Sequence, residues 1–139
     1  MISRNFPHRN PEMATAAIDP VKRYDELVSE INENRSKLNK QTDLLRQLSS
    51  QKSENESVKR EFEVLKPHGV IWKLVGPIMV KQDRDDAKAN VDKRIEFING
   101  DISKAEDAIK ALEEIFETKR TELMKIQEAA QAQATSTKA

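Results

Sequence analysis

From Val91 onward an apolar residue returns at alternating steps of four and three: Ile95, Ile98, Ile102, Ala105, Ile109, Leu112, Phe116, Lys119, Leu123, Ile126 and Ala130. Eleven of these twelve positions are apolar, Lys119 is the exception, and charged residues fill most of the places between them. A 3.5-residue spacing held over about five heptads keeps one stripe of a helix turned toward a partner. It therefore predicts a coiled-coil helix over 83–130. Gly100 interrupts that helix at a cost of about 1 kcal/mol relative to Ala, which the surrounding seam absorbs.

A second helix is predicted upstream, over 20–66. No proline lies between 21 and 66 or after 77, and glycine is missing from 21–66. Asp19-Pro20 is a start signal, an N-cap acid followed by proline at the first helical position. Pro67-His68-Gly69 is a stop signal. The apolar pattern here is less regular. Val21, Tyr24, Val28, Ile31, Leu38 and Leu45 follow one register, and Leu44, Leu48, Val58, Phe62 and Leu65 follow another, offset by one residue. The expectation is a register shift, with a weak middle section that places Gln51 and Asn55 in the seam.

Between the helices the pattern changes to Val70-Ile71-Trp72-Lys73-Leu74-Val75-Gly76-Pro77-Ile78-Met79-Val80-Lys81. β-branched and aromatic residues on either side of Gly-Pro predict a hairpin with strands near 70–74 and 78–81. Gly76 supplies the positive φ of the turn, and Pro77 opens the second strand, where a missing donor is tolerated. A short hairpin between helices of similar length folds them antiparallel. Seam residues then pair when their numbers sum to roughly 149, so Leu38 meets Leu112, Leu65 lies near Arg84 and Val21 near Glu128. The hairpin is apolar on both faces and its strand edges are unpaired. A two-stranded hairpin is marginal in water, and two helices cover one face at most, so hairpins from several chains must join.

Composition narrows the function. Lys plus Arg (24) balances Asp plus Glu (24), so no global field draws nucleic acid or anionic lipid. No apolar run reaches the length that spans a bilayer. Cysteine is absent, which removes disulfides, thiol catalysis and thiolate metal sites and fits a reducing compartment. The two histidines, His8 and His68, lie far apart and form no metal site or relay. Asp85-Asp86 and Glu113-Glu114 fall on solvent faces, and general acid–base work needs a pocket, which a two-stranded coiled coil does not offer. No glycine-rich phosphate cradle occurs. The reading is of a non-enzyme with no cofactor and no metal. Residues 1–17, with Pro7, Pro11 and two arginines but no acid before Glu12, read as a disordered extension rather than a transit peptide. Residues 18–130 form one domain, and 131–139 are expected to be a disordered tail.

Helix, one hairpin, helix is the plan of the β-type prefoldin subunits. The stretch Trp72-Lys-Leu-Val-Gly-Pro-Ile-Met-Val-Lys-Gln82 closely resembles that family's hairpin, and Asp86-Ala-Lys-Ala-Asn-Val-Asp-Lys-Arg-Ile-Glu-Phe-Ile98 resembles its second-helix start. The resemblance covers 20–130, with its discriminating part at 70–100. It implies a mostly α fold, an antiparallel two-helix coiled coil whose hairpin joins an intersubunit β-barrel. It also implies a hexamer of two α-type and four β-type subunits, with this chain as one of the four. That hexamer holds non-native actin, tubulin and similar clients at the arm tips, without ATP, and passes them to the cytosolic group II chaperonin. Residues 70–81 would then be the assembly surface. Ile18, Val21 and Tyr24, with Leu123, Met124 and Ile126, would be the tip candidates. Flexible thioethers suit promiscuous surfaces, yet Leu123 and Ile126 also read as ordinary seam residues. Trp72 packs the hairpin against the helix bases or serves recognition. Lys73 and Lys81 mark a barrel rim or blunt a strand edge. The extension 1–17 departs from the family pattern, leaving open whether Phe6 or Met13 touches clients and whether Met13 is a second start.

Two other readings compete. An RNA-binding helical arm needs a basic face, whereas 20–66 carries ten basic and nine acidic residues and 83–128 carries nine and thirteen. A plain coiled-coil scaffold or tether gives no reason for a hairpin apolar on both faces.

Overall fold

The computed structural model describes residues 19–137. Its elements are α1 (Pro20–Glu63), β1 (Ile71–Val75), β2 (Ile78–Gln82) and α2 (Arg84–Ser136). The chain divides into two compact units, one of residues up to Arg35 with those from Ile115 on, the other Ser36–Glu114. The readings placed on residues 1–18, the disordered extension, Phe6, His8, Met13 and Ile18 among them, lie outside the described residues.

α1 begins where its cap chemistry directs. Asp19 Oδ1 accepts a hydrogen bond from the Val21 amide at 3.1 Å, and its carbonyl accepts the first helical bond, from Arg23 N at 2.9 Å. The first of these occupies an amide that would otherwise lack an intrahelical partner. The regular helix ends at Glu63 rather than 66. Beyond it the chain tightens into turns, with Leu65 N bonded to Phe62 O at 3.4 Å and Gly69 N to Lys66 O at 2.8 Å. A Cβ on Gly69 would sit 2.5 Å from Leu65 Cγ, so only glycine permits this approach. Asp83 caps α2 in the same way as Asp19 caps α1, accepting from Asp86 N at 3.2 Å.

Burial along α2 follows the 4-3 spacing closely. Of the twelve positions from Val91 to Ala130, only Ala130 is exposed, while Phe97 and Ile115, apolar but off the seam, face solvent. α2 also runs on to Ser136, where a tail was expected from 131. The added residues, Gln131-Ala-Gln-Ala-Thr-Ser136, include four Ala and Gln, which favour helix. Thr135 and Ser136 hydroxyls bond back to carbonyls of their own last turns.

α1 corrects the expected register shift. Its covered positions are Leu27, Ile31, Asn34, Leu38, Gln41, Leu45, Leu48, Lys52, Asn55 and Phe62. That is one 4-3 register, broken only where Lys59 is exposed, with polar residues at several seam positions. Leu27 is fully buried, whereas Val21, Leu44 and Val58 are exposed and Gln51 lies outside the seam. Asn55 tolerates its place by donating to the Gln51 carbonyl at 2.7 Å. Asn34 is buried, and its side-chain oxygen has no partner among the described residues.

Cross-helix pairs fit the antiparallel alignment. Within the unit bearing the hairpin, Lys59 pairs with Asp92 at 2.7 Å, and this contact raises the Lys59 pKa. Within the other unit, Glu30 pairs with Lys119 and Tyr24 with Gln127.

Gly100 lies in mid-helix, exposed, with open space around its missing Cβ. Replacing Gly100 with Ala should therefore stabilise the chain by up to about 1 kcal/mol through lower unfolded-state entropy. A thermal melt followed by circular dichroism should show the midpoint rising; a fall would mean the glycine is there for close packing.

Candidate functional site: the exposed hairpin and the helix-end groove

The two strands pair in the register Ile71↔Gln82, Trp72↔Lys81, Lys73↔Val80, Leu74↔Met79 and Val75↔Ile78. Gly76 has φ of 59°, which suits the first central position of a type II′ turn. Pro77 occupies the second turn position instead of opening the strand, which starts at Ile78. Directly paired residues share a face, so Val75, Ile78 and Val80 lie on one side and Trp72, Leu74 and Met79 on the other. All six, with Val70, are between 45% and 67% exposed. Only Ile71 and Gln82, at the base, are half-buried. Both faces and both outer edges of the ribbon are thus open, an apolar surface that a lone chain leaves in water.

The base of the hairpin is held by a residue the sequence reading did not assign that role. Arg84 Nη2 donates to the carbonyl of Leu65, at 3.2 Å, and to that of Lys66. A guanidinium there satisfies carbonyls just beyond α1 and favours the negative end of the helix dipole. The expected neighbour relation of Leu65 and Arg84 is present, but as a polar cap rather than a seam contact. No local signal in sequence marks such a cap, because its partners lie 18 and 19 residues upstream.

The second candidate lies where α1 begins and α2 ends. A groove of about 850 Å³ is lined by Pro20, Val21, Tyr24, Ile126, Ala129 and Ala130, with Glu122, Lys125, Gln127, Gln131 and Gln133 forming its polar part. Three of the expected tip residues, Val21, Tyr24 and Ile126, come together in it. Leu123 is half-buried in the seam, and Met124, nearly half exposed, is not part of the lining. Pro20 and the two alanines were missed because small side chains give no hydrophobic signal; they create the hollow by not filling it.

Below the groove sits an ion-pair cluster. The Arg23 guanidinium grips Glu122 with two bonds, Nε at 2.8 Å and Nη2 at 3.0 Å, and also approaches Glu26 and Glu30 at 3.6 Å. Lys119, the lone polar residue of the α2 seam, bonds Glu30. The hydrogen bond from Lys119 holds the Glu30 carboxyl below the usual carboxylate range, and that from Arg23 does the same for Glu122. Arg23 is correspondingly pushed up. Carboxyls lowered on folding stabilise the folded state above the unfolded value of 4.5, and that contribution is lost as pH falls through the folded values. The double variant Glu30→Gln/Glu122→Gln should therefore melt lower than the parent at pH 6, with the gap closing as pH drops well below 4.5. Melting curves at several pH values check this, and a gap independent of pH would rule out the carboxylates as its source.

Among the described residues there is no group of three His, Cys, Asp or Glu placed to hold a metal, and no helix long and apolar enough to cross a membrane.

Comparison with known proteins agrees with the architecture. Residues 25–130 match the model of the prefoldin subunit family, Prefoldin_2. Prefoldin subunit 6 of Arabidopsis thaliana is 36% identical over 91 residues, 66% of this chain and 70% of that one. Prefoldin subunit 6 of Homo sapiens is 33% identical over 108 residues, 78% of each chain. The crystal structure of the prefoldin beta subunit from Thermococcus strain KS-1 aligns with a TM-score of 0.69, covering 73% of this chain and 90% of that one. At 20% identity that likeness speaks to the fold alone. The family match takes in both helices and the hairpin between them, and relatives about one-third identical are covered over most of their own length: the chain belongs to the prefoldin subunit family.

Proposed function

We propose that this chain is a β-type subunit of a hexameric prefoldin co-chaperone that holds non-native proteins without ATP and passes them to the cytosolic group II chaperonin. Membership of the family makes it a component of a chaperone that assembles with other prefoldin subunits. The carrying observation is the hairpin, exposed and apolar on both faces. A scaffold or an RNA-binding arm would have no use for such a surface. Burial of these side chains against hairpins of two α-type and three further β-type subunits removes it from water.

Holding is assigned to the helix-end groove. Its open apolar lining offers contact without a shaped pocket, which suits clients defined only by exposed hydrophobic segments, such as unfolded actin or tubulin. Each groove binds weakly, and several in one assembly act together through multivalency. Release then follows from handover rather than hydrolysis, and the setting is cytoplasmic.

The test places charge in the groove: Tyr24→Glu with Ile126→Glu, in a hexamer whose mass is verified. We expect suppression of the aggregation of reduced, unmodified α-lactalbumin to fall at least fivefold. Undiminished suppression by an intact hexamer would overturn the groove assignment.

A further inference from the structure

We propose that Gln127 and Gln131 form a short amide ladder that pairs with the backbone of an extended client segment lying along the end of α2. This selectivity rests on the reading of the helix-end groove as the client surface. Both glutamines line the groove and are exposed. Four residues apart, they are neighbours on one face of the helix, separated by about 6 Å along its axis. In an extended chain the peptide groups that share an edge recur every second residue, at about 6.7 Å. The two repeats match closely enough for flexible side chains to take up the difference.

The chemistry of the lining points the same way. A primary amide donates two hydrogens and accepts at its oxygen, so each glutamine can meet a peptide N–H, a C=O or both. Gln127 gives one hydrogen to Tyr24 Oη, at 3.3 Å, and keeps the other hydrogen and its carbonyl. Gln131 has no side-chain hydrogen bond among the described residues. The charged members of the lining are one base and one acid, Lys125 and Glu122, and Glu122 is held by Arg23, so charge selects no particular sequence. Tyr24, Ile126 and Ala130 take the apolar side chains of the segment while the amides take its backbone. A segment already folded into a helix has those backbone groups bonded internally and gains nothing from the ladder. The surface therefore favours unfolded chain of any sequence over a native helix with an apolar face.

The chain has no cysteine. Ala132→Cys, exposed and off the lining, can therefore carry a single environment-sensitive dye, which reports on this groove alone once the labelled chain is assembled into the hexamer. The probes are two short peptides of alternating valine and threonine flanked by lysines. They are alike except that esters replace the core amides of the second, which removes its backbone donors and weakens its acceptors. Titration should show the amide peptide binding at least about fivefold more tightly, the effect of two modest hydrogen bonds. Gln127→Met with Gln131→Met keeps side-chain length and helix propensity but removes both amides, and should reduce that preference below about twofold. Equal affinities for the parent chain, or a preference undiminished in the methionine variant, overturn the ladder. In either case, loss of both peptides in Tyr24→Glu/Ile126→Glu leaves the groove as an apolar client surface. No response of the parent chain to either peptide overturns the groove assignment and the ladder together.

Discussion

Replacing Leu74 and Ile78 with Lys should abolish assembly while leaving the helices intact. Leu74 pairs with Met79 on one face of the hairpin and Ile78 with Val75 on the other, so the two substitutions charge both faces. In a single chain Leu74 and Ile78 are 67% and 62% exposed, and the isolated fold loses little when they change. Burying each in an interface contributes about 1.5–3 kcal/mol, and a buried, unpaired ammonium adds a penalty of several kcal/mol more. A loss of at least about 4 kcal/mol weakens association by roughly a thousandfold. Native mass measurement with the partner subunits should find the variant as a free chain, with helical circular dichroism near the parent's. A variant that assembles normally would remove the hairpin as the assembly surface.

Leu27→Ala should cost about 2–5 kcal/mol, the range for a fully buried leucine. Leu27 is 0% exposed, while its neighbour Val28 is only half-buried. Val28→Ala should therefore cost well under half as much. Urea titrations of both variants, followed by helical circular dichroism, measure the difference. Comparable losses would restore the register that runs through Val28.

That comparison shows where the sequence was legible and where it was not. In α2 nearly every seam position is filled by an apolar residue, and the spacing alone located the covered stripe from Val91 to Ile126. In α1 the seam positions Asn34, Gln41, Lys52 and Asn55 are polar, while Val21, Leu44 and Val58 lie exposed outside it. A count of apolar residues follows the wrong side chains there and manufactures a register shift. What keeps the seam in place is its partner helix, whose better pattern determines which α1 face is covered. Lys52 is half-buried there, a place its long apolar stem suits. Asn55 bonds within its own helix.

The candidate sites divide in the same way. The hairpin was readable because alternation and Gly76-Pro77 are local signals, and paired strands share faces by geometry alone. Pro77's place in the turn was not readable, since shifting a strand start by one residue leaves the alternation unchanged. At the helix ends, Val21, Tyr24 and Ile126 stood out as large apolar residues. Pro20, Ala129 and Ala130 did not, and the groove depends on them as much.

By itself, then, the amino-acid sequence determined two long helices, the hairpin between them, its doubly apolar character and the need for partners. Each follows from periodicity or turn chemistry within a few residues of chain. Only the tertiary structure decided the register of α1, the Arg84 cap, the Arg23–Glu122–Glu30–Lys119 cluster and the groove at the end of α2. Those features join residues from 18 to more than 100 positions apart, and such pairings are settled by which faces pack together, not by any local pattern.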